Sequence, residues 1–263
     1  MENSFLLNKN YKSISSQELE VLRATEKTGI VVFGATELQR ITKISTHRLS
    51  EIFSSLEKKG FLIKLLRNQY CKAQTAIENP YLVATNTFVP SYISFWTALS
   101  FYGFTEQQVK TIQVASPKQF KKIQNKQITI QPITVKKENF FGYTKETGFA
   151  IASKEKAILD SALNFELAGG FSEFKKSFKN AWPELNEKTI FKYLFKLENK
   201  SLNSRIGFLI ETLNLKVNKK LLEKLEKNKS KGFIKLDPKA KKTSNYNKKW
   251  KIGINEKREE EII

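Results

Sequence analysis

The sequence predicts a protein of the mixed α+β class, and three observations support that class. Helical patterns with capping signals run through most of the 263 residues. Short apolar or alternating runs typical of strands lie between them, bounded by turn residues. Hydrophobic residues make up 40% of the chain, which is ordinary for a globular protein and excludes a disordered one. At this length the chain has room for two domains with separate cores.

The N-terminal region opens with one helix and a short strand. Ser15 and Glu18 have the spacing of a capping box, so we expect a helix that begins there and ends at Gly29. Residues 30–33 form an apolar run that predicts a short strand.

Two more helices are predicted close together after this strand. Thr36 is placed to cap the first, with Leu38 and Ile41 facing inward, and residues 43–44 form the turn. Ser45 is placed to cap the second helix. The apolar stripe of that second helix consists of Leu49, Ile52, Phe53 and Leu56.

A two-stranded ribbon follows this helix pair. Gly60 is a C-cap glycine, residues 61–66 and 70–72 predict two strands, and residues 67–69 form the tip between them. Helix, turn, helix and ribbon is the order of a winged helix-turn-helix, which places one helix in a DNA major groove. We therefore predict a DNA-binding domain over residues 1–80.

The face of the second helix opposite the apolar stripe is expected to contact DNA. It carries hydrogen-bonding side chains, mostly in the N-terminal half, where a recognition helix meets base edges. We expect His47, Arg48, Ser50 and Glu51 to contact bases, and Lys43, Thr46, Lys58 and Arg67 to contact phosphates. The whole candidate interface is Lys43, Ser45, Thr46, His47, Arg48, Ser50, Glu51, Lys58, Arg67, Asn68 and Gln69. A winged helix that docks only proteins is the alternative.

The net charge of +20 would attract a polyanion such as DNA. However, only 6 of the 46 basic residues are arginine, and the excess extends over the whole chain. A lysine-rich composition explains such an excess equally well. The polar face of the helix is therefore stronger evidence for DNA binding than the net charge.

Residues 81–255 predict a larger mixed α+β domain, reached through a linker around Pro80 and Pro90. Its strand patterns lie at 110–115, 128–135 and 148–152. Its helix patterns lie at 93–102, 171–181, 186–197 and 205–213. A further helix is predicted to begin after its cap at Ser153 and to end at the glycine pair 169–170.

Motifs for several enzyme classes are missing from the sequence. There is no phosphate-binding glycine loop and no dinucleotide-binding glycine pattern. One histidine and one cysteine leave no metal cluster and no Ser-His-Asp or Cys-His arrangement. We expect no catalytic residues, no metal and no cofactor. If the second domain were an enzyme, its candidate residues would be Glu155, Lys156, Asp160 and Arg205.

The single cysteine, Cys71, fits a reducing compartment, since it has no internal disulfide partner. No run is apolar enough for a membrane span, and the first residues do not have the pattern of a signal peptide. We expect a cytoplasmic protein with no membrane partner.

An ordered set of segments in the second domain resembles the AbiEi family of antitoxins. The segments are WTALSFYGFT at 96–105, FG at 141–142, IASKEKAILD at 151–160, SRIGFLIE at 204–211, LDP at 236–238 and NKKWKIGIN at 247–255. With the winged helix ahead of them, the resemblance extends from about residue 15 to 255. The chain departs from the family pattern at Ser153, where proline is common, and in the lysine-rich stretch 216–231.

The resemblance implies that residues 233–255 fold back onto the second domain, with Trp250 on a strand. We then expect disorder at 256–263 and around 228–231. It also implies a structural role for Asp160, for which we expect an ion pair with Arg205.

As for function, the resemblance implies an antitoxin of an abortive-infection toxin–antitoxin system. Such a protein represses its own operon by binding an inverted repeat in promoter DNA. It also counteracts a co-encoded nucleotidyltransferase toxin, with or without a stable complex. The alternative is a stand-alone winged-helix transcriptional regulator without a toxin partner.

Overall fold

The computed structural model describes residues 13–146, 148–241 and 245–255. The described chain divides into two compact units. Unit 1 holds the residues up to Val89 together with Ile123–Thr129, and unit 2 holds Pro90–Lys122 and the residues from Ile130 onward. Helices and strands occur in both units, which confirms the mixed α+β class.

The elements of unit 1 are α1 (Ser16–Thr28), α2 (Ala35–Thr42), α3 (Thr46–Lys59), β1 (Leu62–Leu66), β2 (Gln69–Lys72), α4 (Ala73–Glu78), α5 (Pro80–Thr87) and the short β5 (Ile123–Gln124). Unit 2 comprises β3 (Tyr92–Ile93), α6 (Phe95–Phe101), β4 (Ile112–Ser116), β6 (Thr129–Thr134), β7 (Tyr143–Glu146), β8 (Phe149–Ala152), α7 (Lys154–Leu163), α8 (Phe171–Ala181), α9 (Glu187–Lys196), α10 (Lys200–Thr212), α11 (Lys219–Lys227), β9 (Ile234–Lys235), β10 (Tyr246–Asn247) and β11 (Ile252–Gly253).

The capping signals of α1 act as the sequence predicts. The Glu18 backbone N–H donates to the Ser15 hydroxyl at 3.3 Å, and the Ser15 N–H donates to the Glu18 carboxylate at 2.7 Å. Gly29 ends the helix with a φ of 64°, a left-handed conformation that glycine adopts at little cost.

The core of unit 1 forms between the helices and the ribbon. The predicted stripe of α3 is buried throughout, and Val21 and Leu38 are completely enclosed. Phe53 contacts Phe33 in an edge-to-face arrangement and lies 4.9 Å from the ring of Tyr70. The ribbon strands β1 and β2 pair antiparallel. This arrangement presents the face of α3 opposite the stripe to solvent.

Two predictions about the segment before α2 are wrong. Residues 30–33 do not form a strand, because only Phe33 bridges to Tyr70 before Gly34 begins the helix cap. Thr36 does not cap α2; Gly34 does, and its N–H donates to the Glu37 carboxylate at 3.0 Å. A Cβ at Gly34 would lie 2.4 Å from the Asn68 carbonyl oxygen, so only glycine fits there.

The inward prediction for Ile41 is also wrong, since that side chain is 41% exposed in the last turn of α2. The expected linker around Pro80 is largely the helix α5, with Pro80 in its first turn, where proline is well tolerated. Val83 and Ala84 of this helix are fully buried. Unit 1 therefore extends past the expected boundary at residue 80.

The strands of the main sheet in unit 2 run in the order β6-β4-β3-β8-β7. β4 pairs parallel with β6 and antiparallel with β3, whereas β3 pairs parallel with β8. β7 pairs antiparallel with β8. Helix α7 follows directly after β8, with Ser153 as its predicted N-cap, and eight of its residues are buried. Its predicted end at the glycine pair 169–170 is wrong, because Asn164 adopts an extended conformation and α7 ends at Leu163.

Two helix starts in unit 2 differ from the sequence prediction. Ile93 belongs to β3, and α6 begins only at Phe95, whose φ of 55° is strained for an aromatic residue. α10 begins at Lys200 and not at Arg205, because the Asn199 side chain accepts the Leu202 N–H at 2.9 Å and caps the helix early.

The C-terminal segment of the described chain folds back onto unit 2, as the resemblance implies. Trp250 is fully buried, and its indole N–H donates to Glu211 of α10 at 2.8 Å. A Cβ at Gly207 would lie 2.1 Å from the Trp250 ring, so glycine allows the indole to approach α10. The expected strand position of Trp250 is wrong, since it lies in the turn between β10 and β11.

The expectation of disorder around 228–231 is not met. Asn203 donates to the Asn228 carbonyl at 3.0 Å, and the Ser230 N–H donates to the Ser204 hydroxyl at 3.0 Å. The expected disordered segment 256–263 lies outside the described residues. Within the described ranges, no helix combines the length and the apolar character needed to cross a membrane.

Candidate nucleic-acid interface

The recognition-helix candidate α3 is held against α1 by a nearly buried ion pair. Lys59 donates to both oxygens of the Glu18 carboxylate at 2.7 Å, and the Ser55 hydroxyl donates to one of them at 2.7 Å. Burial alone would raise the pKa of Glu18, but the hydrogen bonds from Lys59, Ser55 and Ser15 outweigh it and lower the pKa to about 2. This carboxylate therefore stays charged at neutral pH and fixes α3 from behind.

The opposite face of α3 is open to solvent, as the sequence predicts. All the residues assigned to it are exposed, and the His47 side chain is 89% exposed. The exposed set is His47, Ser50, Glu51, Ser54 and Lys58, with Arg48 beside it. A duplex could meet this face without any rearrangement of α3 itself.

The hydroxyl groups of α3 are partly committed to the helix. The Ser45 oxygen accepts the Arg48 N–H at 3.3 Å, so its first role is the N-cap. Ser50 donates to the Thr46 carbonyl at 2.9 Å, and Ser54 donates to the Ser50 carbonyl at 3.0 Å. Because their protons point back into the helix, Ser50 and Ser54 offer hydrogen-bond acceptors to a base.

The charged side chains at the start of α3 form a connected row. Arg48 donates through Nε to Gln17 Oε1 at 2.9 Å and through Nη1 to Glu51 Oε2 at 2.7 Å. His47 Nδ1 lies 3.7 Å from the other Glu51 oxygen. The hydrogen bond from Arg48 lowers the pKa of Glu51. The part played by Gln17 is not predictable from the sequence, because no local pattern reveals a contact between residues so far apart in the chain.

The turn and the wing place three of the candidate contacts as predicted. Lys43 occupies the turn with a φ of 62° and is exposed, and Arg67 and Asn68 form an exposed two-residue tip. The inclusion of Gln69 in the tip is wrong, because Gln69 pairs with Leu66 inside the ribbon and is half-buried. Asn68 also has a structural role, since its side-chain oxygen accepts the Ala35 N–H at the start of α2.

The predicted ion pair between Asp160 and Arg205 is wrong. Asp160 instead pairs with Lys156 one turn earlier on α7, and accepts from Ser94 at 2.7 Å and from Tyr92 at 3.1 Å. Burial raises the pKa of Asp160, and the nearby Lys156 opposes this. Arg205 donates to the carbonyls of Lys235 and Leu236. The i to i+4 spacing of Lys156 and Asp160 could have revealed the true partner.

The residues that would serve an enzyme do not gather around one open cleft. Glu155 accepts the Asn186 N–H at 2.8 Å, whereas Lys156 and Asp160 are paired and buried. Asp160 borders a groove of about 1040 Å³ that Leu163 and Lys200 also line, but it is only 1% exposed. In the part of the chain that the structure describes, no group of three metal-ligating side chains comes together.

Cys71, the remaining reactive group, is fully buried in β2. Burial raises the pKa of its thiol to about 12. A thiol in that state is a poor nucleophile, so Cys71 is a core residue of unit 1.

Comparison with solved structures finds a similar fold in the protein Rv2827c of Mycobacterium tuberculosis. The two superpose with a TM-score of 0.64 over 92% of each chain, at 11% sequence identity. No family model and no curated protein sequence matches the chain. At this identity the likeness shows the fold alone.

Proposed function

We propose that unit 1 binds promoter DNA through α3 and its wing and represses the operon that encodes the protein. The observation that carries this proposal is the solvent-exposed polar face of α3, supported from behind by its buried apolar stripe. Arg67 and Lys43 flank the helix at the wing and the turn, where cations contact phosphates. Together these groups form the contact pattern of a winged helix-turn-helix.

We further propose that the protein is the antitoxin of a toxin–antitoxin pair, and that unit 2 counteracts a co-encoded nucleotidyltransferase toxin. The segments at 96–105, 151–160 and 204–211, which resemble the AbiEi antitoxins, support this part of the proposal. Two of them meet in the fold, since α7 and α10 are in contact. The cytoplasm is the compartment in which both activities would operate.

The DNA-binding proposal is tested by measuring binding to a duplex from the region upstream of the operon at several salt concentrations. Replacing Lys43 and Arg67 together by alanine is expected to lower the salt slope by about 2, since each phosphate contact contributes about 0.9. Replacing the exposed Lys137 and Lys145 of unit 2 is the matched control, and it should leave the slope unchanged. An unchanged slope in the first variant would contradict the assignment of these contacts.

The antitoxin proposal is tested in cells that express the neighbouring toxin gene. The full chain with Arg48→Ala and Arg67→Ala should lose repression of a promoter reporter and still rescue growth. If no nucleotidyltransferase gene lies beside this one, the hypothesis of a stand-alone transcriptional regulator is favoured. Loss of rescue together with repression would contradict the assignment of the two activities to separate units.

A further inference from the structure

The row of side chains at the start of α3 limits the hydrogen-bond donors that Arg48 can offer to a base. Arg48 is held at two points, by Gln17 from α1 and by Glu51 from the next turn of α3. An arginine held in this way loses less conformational entropy when it binds a base than a freely moving one. Its side chain is still 50% exposed, so part of the guanidinium remains available to a ligand.

The bonds already made identify the groups that remain free on each side chain. Arg48 uses Nε and Nη1 within the protein, which leaves both N–H groups of Nη2 and the second N–H of Nη1 outside these two bonds. Two adjacent N–H donors match the O6 and N7 acceptors of guanine in the major groove. Adenine offers an acceptor and a donor at the same edge, and cytosine a donor, so neither accepts two hydrogen bonds there.

The sequence position of Glu51 suggested a base contact, but its carboxylate faces side chains of the same helix. One carboxylate oxygen accepts from Arg48, and the other lies 3.7 Å from His47 Nδ1. A carboxylate already paired with a guanidinium is less available to accept a hydrogen bond from a cytosine amino group. Pairing also offsets its repulsion of the phosphates on either side of the groove.

We propose that Arg48 reads one guanine in each half-site of the operator, and that Glu51 and Gln17 are positioning residues that orient it. This inference rests on the proposed DNA-binding function of unit 1. It specifies one base that unit 1 would recognise, and it assigns to Glu51 the support of Arg48 in place of a base contact.

The test is selection of binding sites from a pool of random-sequence duplexes by the full-length protein. The wild type should select one invariant G·C pair per half-site. Arg48→Ala should lose the preference at that pair alone, about tenfold or more in relative affinity, and keep the rest of the selected sequence. Glu51→Gln and Gln17→Ala should weaken the same preference to a smaller extent, because each releases one side of the clamp.

The controls separate positioning from folding and from general binding. Glu57→Gln removes an exposed carboxylate from the same helix, outside the row, and should leave the selected sequence unchanged. Replacing the invariant guanine by 7-deazaguanine removes N7 alone, and it should weaken wild-type binding but not the binding of Arg48→Ala. Thermal melting of each variant shows whether unit 1 remains folded.

Two results would overturn the inference. In the first, Arg48→Ala keeps the invariant pair, and if Glu51→Gln then loses it, Glu51 reads the cytosine. In the second, the wild type selects no sequence at all. The second result would also remove the proposed DNA-binding function, whereas the first would leave that function in place.

Discussion

Glu18 joins the local and the long-range structure of unit 1. It completes the capping box of α1 and receives Lys59 and Ser55 from α3, although it is only 3% exposed. The capping box is apparent from the spacing of Ser15 and Glu18. The link to Lys59 is not, because nothing in the sequence shows which side of α1 would face α3.

The lowered pKa of Glu18 predicts acid sensitivity of unit 1. A carboxylate whose folded pKa is about 2, below the ordinary 4.5, contributes stability above pH 4.5 that is lost as the pH falls toward 2. Glu18→Gln should lower the free energy of unfolding at pH 7 by about 2 kcal/mol and flatten this dependence. Thermal melts followed by circular dichroism between pH 7 and pH 2 measure both effects.

The exposed Glu20 of α1 offers a control for this prediction, and Glu20→Gln should leave the pH dependence as it is. A pH dependence in Glu18→Gln as steep as in the wild type would show that other carboxylates cause the acid sensitivity.

The pair of Lys156 and Asp160 predicts strong coupling in the core of unit 2. Lys156→Met would leave the buried Asp160 carboxylate with only Ser94 and Tyr92 as donors, and should cost about 3–5 kcal/mol. Adding Asp160→Leu removes the uncompensated charge, so the double variant should be more stable than Lys156→Met alone. Denaturant unfolding followed by tryptophan fluorescence measures both. If the double variant lost as much stability as Lys156→Met and Asp160→Leu together, the pair would not be coupled.

At the scale of elements, strong local signals predicted the structure well. α1, α3 and α8 lie where the sequence patterns placed them, and the ribbon strands lie within one residue of the prediction. α7 begins at its predicted cap but ends before the predicted glycine pair. The predictions of secondary structure are wrong where tertiary contacts determine the local conformation. The backbone at 30–33 bonds to the ribbon through one residue only, and α5 is a helix because Val83 and Ala84 are buried in unit 1.

The cap of α3 allows a direct test at the element scale. Ser45→Ala removes the acceptor for the Arg48 N–H and should destabilise unit 1 by about 1 kcal/mol. Ser54→Ala, on the exposed face of the same helix, is the control and should change stability by less than about 0.5 kcal/mol. The two variants are compared by their denaturation midpoints. Equal losses would mean that the Ser45 cap contributes nothing specific.

For the molecule as a whole, the α+β class and the winged arrangement of unit 1 followed from the sequence, whereas the composition of each unit did not. The segment 123–129 belongs with unit 1 although it comes from the middle of the chain. Such a long-range association leaves no periodic signal in the sequence. The candidate DNA face was predictable because periodicity alone fixes which side of α3 is polar, but the attachment of Arg48 to Gln17 was not.

The buried position of Cys71 gives the protein a reporter of its own opening. It is the only cysteine and lies in unit 1, whereas Trp96, Trp182 and Trp250, the only tryptophans, all lie in unit 2. A thiol reagent can modify Cys71 only when the ribbon opens, while indole emission follows the other unit. Without any engineered residue, the rate of Cys71 modification and the tryptophan fluorescence should report two separate transitions, and Ser45→Ala should accelerate the first while leaving the second almost unchanged.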